Sequence, residues 1–167
     1  MSRSINSTFL HVARSLLCVH LTGQIRTCVK TLRPEHIWWR PNDGSNAIGN
    51  LVLHCAGSTR FYIGYVVGQS NFDRDRDAEF AQHHTTPAEE LLDHLNIAIE
   101  EADTVLSNLH PDRLLDPAER TSEASTLMES ISLQLTHYAT HTGQILYATK
   151  LLDEKAIDEI WRTTPSH

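Results

Sequence analysis

Residues 136–152, THYATHTGQILYATKLL, decide how the rest of the chain is read. They continue a helical pattern that opens at Thr121 or Ser122 and runs for roughly 30 residues, with no strict alternation of the kind a strand requires. On a wheel turning by about 100° per residue, His137, His141 and Gln144 fall within an arc of about 60°. Leu133, Ala148 and Leu151 share that arc, while Thr136, Thr140, Gly143 and Lys150 lie on the other side. Both histidines are therefore expected to point inward, or toward a cleft, among apolar groups. A buried imidazole needs a partner, and a divalent metal can serve two neutral imidazoles at once. The spacing alone is not specific. The chain has eleven histidines, and a pair of core imidazoles bonded to hydroxyls would produce the same pattern. The zinc-protease signature HExxH is absent, because position 138 is Tyr.

Three further segments carry helical periodicity. The first runs from about Ser7 to Leu32, with Leu10, Leu17, Leu21, Ile25 and Val29 near one face, and ends before Pro34. A compact connection follows, HIWWRPNDGSNAIG (36–49), in which Trp38, Trp39 and Arg40 read as a plug at one end of the fold. Ser45 or Asn46 is expected to cap the second helix, which continues to about Val67. Its glycines, Gly49, Gly57 and Gly64, lower its propensity, so close packing against neighbours is the expected reason for them. Thr86 and Pro87, with Glu89 and Glu90 in the first turn, open the third helix, which ends at Leu109 before His110 and Pro111. The stretch between the second and third helices, GQSNFDRDRDAEFAQHHTTP (68–87), is aperiodic and dense in charge, and reads as a long crossover loop. These features predict an all-α four-helix bundle forming a single domain over residues 1–167.

The second helix supplies a third candidate ligand. His54 shares a stripe with Ala47, Leu51, Ser58, Phe61 and Tyr65, the best core-facing surface of that helix. Packed against the last helix, this stripe would bring three imidazoles together, leaving coordination positions open, as in catalytic rather than structural sites.

The composition narrows the partners. A formal net charge of −7 and a pI near 5.8 argue against nucleic acid. No run approaches the roughly 20 apolar residues of a membrane span, and STFLHVARSLLCVHL (7–21) reads as an amphipathic helix, not a signal peptide. Cys18, Cys28 and Cys55 form no CxxC pair and are expected to be reduced, buried thiols of a cytoplasmic protein.

Three blocks in order, IWWRPNDGSNAIGNLVLHCAG (37–57), DRDRDAEF (73–80) and HYATHTGQILYATKLL (137–152), resemble the DinB-like (DinB/YfiT) superfamily of metal-binding four-helix bundles. The resemblance is strongest to its DUF1572 branch, and it extends from about Leu32 to Leu152. It implies a metal triad of one histidine on the second helix and two, four apart, on the last, which match His54, His137 and His141. It also implies nickel or zinc as the metal, a homodimer, and, in some branches, transferase activity that depends on a low-molecular-weight thiol. One position departs from the pattern: relatives close to this branch carry a further histidine about one turn before His137, where this chain has Leu133.

In such a site a water with lowered pKa would be the available nucleophile or base. Gln144 would orient a histidine or the water, and Ser58, Tyr62 and Tyr65 would face the site and meet a substrate. Arg74 or Arg76, in the crossover, would grip an anionic group, while His83 and His84 read as surface residues. The expected function is that of a metal-dependent enzyme, a hydrolase or a thiol S-transferase acting on a small molecule. The alternative is a non-catalytic metal-binding or stress-related bundle, since no general acid or base beyond the triad stands out in the sequence.

Overall fold

The computed structural model describes residues 4–81 and 86–163, all of whose regular elements are helical. His83 and His84 lie outside the described residues. Helix α1 comprises Ile5–Arg14, a π-wound stretch Ser15–Leu21, and Thr22–Thr31 without a break. The Ser4 hydroxyl caps its start by accepting the Ser7 N–H at 3.1 Å. A short α2, Pro34–Ile37, leads to α3, Ile48–Thr59, which continues π-wound through Arg60–Val67. Next come α4, Arg76–Ala81, α5, Ala88–Asn108, a 3₁₀ turn Pro111–Leu115, α6, Leu127–Leu152, and α7, Ala156–Thr163.

The four long helices form the bundle. Helix α3 packs on α5 and α6, and α1 closes the ring against the same two. Ile25, Cys28, Val52, Cys55, Ile63, Leu91, Leu95 and Ile131 lie at its centre. No helix among the described residues is long and apolar enough to cross a membrane. The three cysteines are free and buried, and burial pushes the Cys18 thiol up to about 12 and Cys28 to about 11.

Several boundaries differ from those read in the sequence, each for a local reason. Helix α3 starts after Ala47, not Ser45 or Asn46, because the Asn50 side-chain Oδ1 reaches back to accept the Ala47 N–H at 3.2 Å. Helix α6 starts after Thr126, not Thr121 or Ser122. Thr126 and Glu129 cap each other there: the Thr126 hydroxyl accepts the Glu129 N–H at 3.2 Å, and Glu129 accepts the Ser125 and Thr126 N–H groups. The aperiodic crossover contains α4, which Asp75 starts by accepting the Ala78 N–H at 2.9 Å. Helix α7, beyond the four expected helices, packs Ile160 into the core beside α1.

The inward face of α6 also differs from the expected one. From Gln134 onward, Gln134, Tyr138, Thr142, Ile145 and Thr149 are the buried residues, roughly 100° round the helix from the arc of Leu133, Ala148 and Leu151. Leu151 and Tyr147 are 62% and 67% exposed. The buried face is mostly polar, and two of its groups bond to other helices. The Tyr138 hydroxyl meets that of Thr22 at 2.7 Å, and the Gln134 amide donates to Thr59 at 2.8 Å. The histidines sit at the edge of this face rather than at its centre.

The α3 glycines Gly49, Gly57 and Gly64 all meet bulky neighbours. A Cβ at Gly49 would fall 2.7 Å from the Trp38 ring, whose Nε1 donates to the Thr86 carbonyl at 3.1 Å. A Cβ at Gly57 would fall 2.8 Å from Cδ of Glu79. Trp38 is thus packed against the bundle, whereas Trp39 stays 40% exposed and does not plug it.

Candidate metal centre

His54 lies on α3 at 4% exposure, with Glu79 and Phe80 against its ring. His137 and His141 project from successive turns of α6 toward the same point. The His137 Nε2 is 2.9 Å from the His54 Nε2 and 3.1 Å from the His141 Nε2, and the three ligand atoms lie within 4.8 Å of one another.

The outer nitrogens fix the tautomers. The His54 Nδ1–H donates to Oε2 of Glu79 at 2.7 Å, and the His141 Nδ1–H to Oε1 of Gln144 at 2.8 Å. A neutral imidazole carries one proton, so the Nε2 atoms of both rings face the centre bare. His137 differs: its Nδ1 is buried without a partner. Burial, then the charges of His141, His54, Arg74 and Arg76, push His137 down to about 4. Burial also lowers His141, against the opposing hydrogen bond from Gln144. His137 and His141, both with lowered pKa, thus converge with His54 through their Nε2 atoms, an arrangement that a cation relieves. Nitrogens bound about 2.0–2.1 Å from one ion in neighbouring positions stand roughly 2.8–3.4 Å apart, and both separations here fall in that range. The residues present fit a divalent metal.

Glu79 anchors this arrangement. Its Oε1 accepts Nε of Arg74 at 2.7 Å, and its Oε2 accepts an Arg74 Nη at 2.8 Å alongside the His54 proton. Burial alone would raise its pKa, but the hydrogen bonds from His54 and Arg74 and the charge of Arg74 hold it below the usual carboxylate value. The Phe80 ring, 4.7 Å from that of His54, covers the site from the same helix.

A protein-family model matches residues 4–163. The chain belongs to this family, described as protein of unknown function (DUF1572). No curated protein and no solved structure matches the chain. In this member of DUF1572 the site is built from α3, α4 and α6.

The other candidates named from the sequence divide by location. Gln144 touches the cluster through His141. Tyr62, Arg74 and Arg76 line a cavity of about 410 Å³ that opens on His54 and His137. Ser58 is fully buried and turned to the Cys55 carbonyl and the Gln134 amide, away from the cavity. Tyr65 stacks on Phe61 and lies beneath the Arg120 guanidinium, 4.7 Å from its carbon, also outside the cavity lining.

Two carboxylates at the site are missing from the sequence reading. Glu79 hides in the charge-dense stretch that reads as a long crossover loop; the available signal is Asp75 at an N-cap, with Asp77 and Glu79 in the first turn of a helix. Glu123 accepts a hydrogen bond from the Tyr62 hydroxyl at the cavity. It comes from the connection before α6, and no spacing rule relates it to Tyr62, 61 positions away.

The metal-free protein is expected to lose stability as pH falls from about 6.5 toward 4. An unfolded histidine titrates near 6.5, whereas His137 in the fold resists protonation down to about 4. Between these values the unfolded chain binds more protons, so stability rises with pH across that window. The depressed Glu79 carboxyl adds a loss of the same sign at still lower pH. Urea midpoints at pH 7, 6 and 5 after chelation measure the slope; midpoints that stay level or rise on acidification contradict the assignment.

Proposed function

We propose that this protein is a metal-dependent enzyme of the DinB-like type, a hydrolase or a thiol S-transferase acting on a small molecule. In this reading His54, His137 and His141 hold one divalent ion, nickel or zinc, and the chain works as a single domain and a homodimer in the cytoplasm. The observation that carries it is the convergence of three imidazole Nε2 atoms beside a cavity large enough for a substrate. A bound divalent ion supplies Lewis acidity, lowering the pKa of a water or thiol that reaches it.

The residues around it support turnover over storage. Glu79 and Gln144 hold two of the imidazoles in the tautomer that offers Nε2 inward. Phe80 and Arg74 cover one side of the cluster, while the cavity leaves His54 and His137 reachable on another. The Tyr62–Glu123 hydrogen bond at the cavity provides a carboxylate able to take a proton from a nucleophile and return it to a leaving group.

Elemental analysis of protein purified without an affinity tag tests the first half of the reading, with about one nickel or zinc ion per chain expected. Retention of neither ion, even after incubation with both Zn²⁺ and Ni²⁺, would refute it. Metal-loaded protein is then assayed with esters, amides and thiol–electrophile pairs. Stoichiometric metal without turnover of any of them would favour the non-catalytic bundle.

A further inference from the structure

The cavity at the histidines holds three charged groups besides them, and their pairing is uneven. Arg74 is engaged by Glu79 through two of its nitrogens. Glu123 is engaged by the Tyr62 hydroxyl. Arg76 lies with its guanidinium carbon 5.1 Å from the Phe80 ring centroid, and among the described residues no carboxylate pairs with it. Its position at the cavity is fixed by α4, the helix that also carries Glu79. A guanidinium resting on an aromatic face keeps its fork of donors free for a planar or tetrahedral oxyanion.

The remaining lining gives the ligand its other half. Phe61 and Tyr62 present aromatic surface to the same space. On the other side of Gln144 a second cavity, of about 420 Å³, is lined by Trp39, Tyr147 and Leu151 among others, and none of its lining residues is charged. An anion is therefore favoured at the first cavity and not at the second.

We infer that the substrate is a small organic anion with an apolar body: its carboxylate or phosphate group pairs with Arg76, its body lies on Phe61 and Tyr62, and its reacting part reaches the three histidines. The inference rests on the metal-site reading for the reaction, but the contact with Arg76 stands without it. Charge makes the two cooperate. A divalent ion adds positive charge beside Arg76 and strengthens the anion site that Arg76 provides.

Phenylacetate serves as the probe and phenylacetamide as its uncharged match, each titrated calorimetrically into chelated and Zn²⁺-loaded protein and into the Arg76→Gln variant. Arg76 is exposed, so the variant is expected to fold, and circular dichroism checks it. Saturable phenylacetate binding to the loaded protein is expected, weakened about ten-fold or more by Arg76→Gln. Phenylacetamide should bind the unaltered protein no better than phenylacetate binds the variant. No saturable phenylacetate binding, an effect of Arg76→Gln within two-fold, or equal binding of the amide would overturn the inference. Arg76-dependent phenylacetate binding in protein that takes up no zinc would instead refute the metal reading and leave the anion site standing.

Discussion

Glu79→Ala is expected to cost the metal-free protein about 3 kcal/mol of stability and to weaken metal binding by about 10–100-fold. Both effects come from one carboxylate. Its removal strands the His54 Nδ1–H and the Arg74 guanidinium, which are 5% and 14% exposed. Breaking a buried pair by deleting one partner costs about 3–5 kcal/mol; the lower end applies because Arg74 stands close enough to the surface to swing into water. The affinity loss has another origin. Without an acceptor at Nδ1, His54 is free to carry its proton on Nε2, which would have to leave before a metal could bind. Gly57→Ala should reproduce part of the affinity loss from the opposite direction, because the added Cβ meets the Glu79 carboxylate where it is pinned. Urea denaturation of chelated protein and competition against a chromogenic zinc chelator measure the two effects. A stability loss below about 1 kcal/mol together with unchanged affinity would mean that the carboxylate does not anchor the cluster.

His137→Leu is expected to separate stability from binding. Metal content should fall from about one ion per chain to near zero, while the metal-free protein should gain about 1 kcal/mol. The gain follows from the His137 surroundings: Nδ1 is buried without a partner, and Nε2 faces two other nitrogens. Replacing an unsatisfied polar group by an apolar one of similar size removes a desolvation penalty of about 1–3 kcal/mol, less what imperfect packing takes back. Thermal unfolding of both proteins after chelation measures the difference. A clear loss of stability in the leucine variant would show that the imidazole is satisfied in the metal-free fold, and with it the argument for a cation at this point would lose its main support.

The sequence made the helices legible and the inside of the bundle much less so. Periodicity located all four long helices, because their apolar residues recur over many turns. The start of α6 was missed although Thr126-Leu-Met-Glu129 carries the capping-box spacing, since the polar residues ahead of it offered earlier caps. The buried face of α6 is hard to place because Gln134 and Tyr138 look like surface residues until Thr59 and Thr22 on other helices are there to bond them. The three histidines stood out by residue type and spacing, whereas the partners that set their protons came from connections. Glu79 sits in a six-residue helix too short for any periodicity to register, and Glu123 is in no helix at all.

The order of these groups along the chain has a consequence during synthesis. His54 and Glu79 are 25 residues apart, and His137 follows His54 by 83. The imidazole–carboxylate pair can thus form while the last long helix is still being made, with the tautomer of His54 already chosen. The three-nitrogen cluster exists only once the ribosome has passed His141, so a chain that stops short keeps a correctly protonated histidine with nothing to share it with.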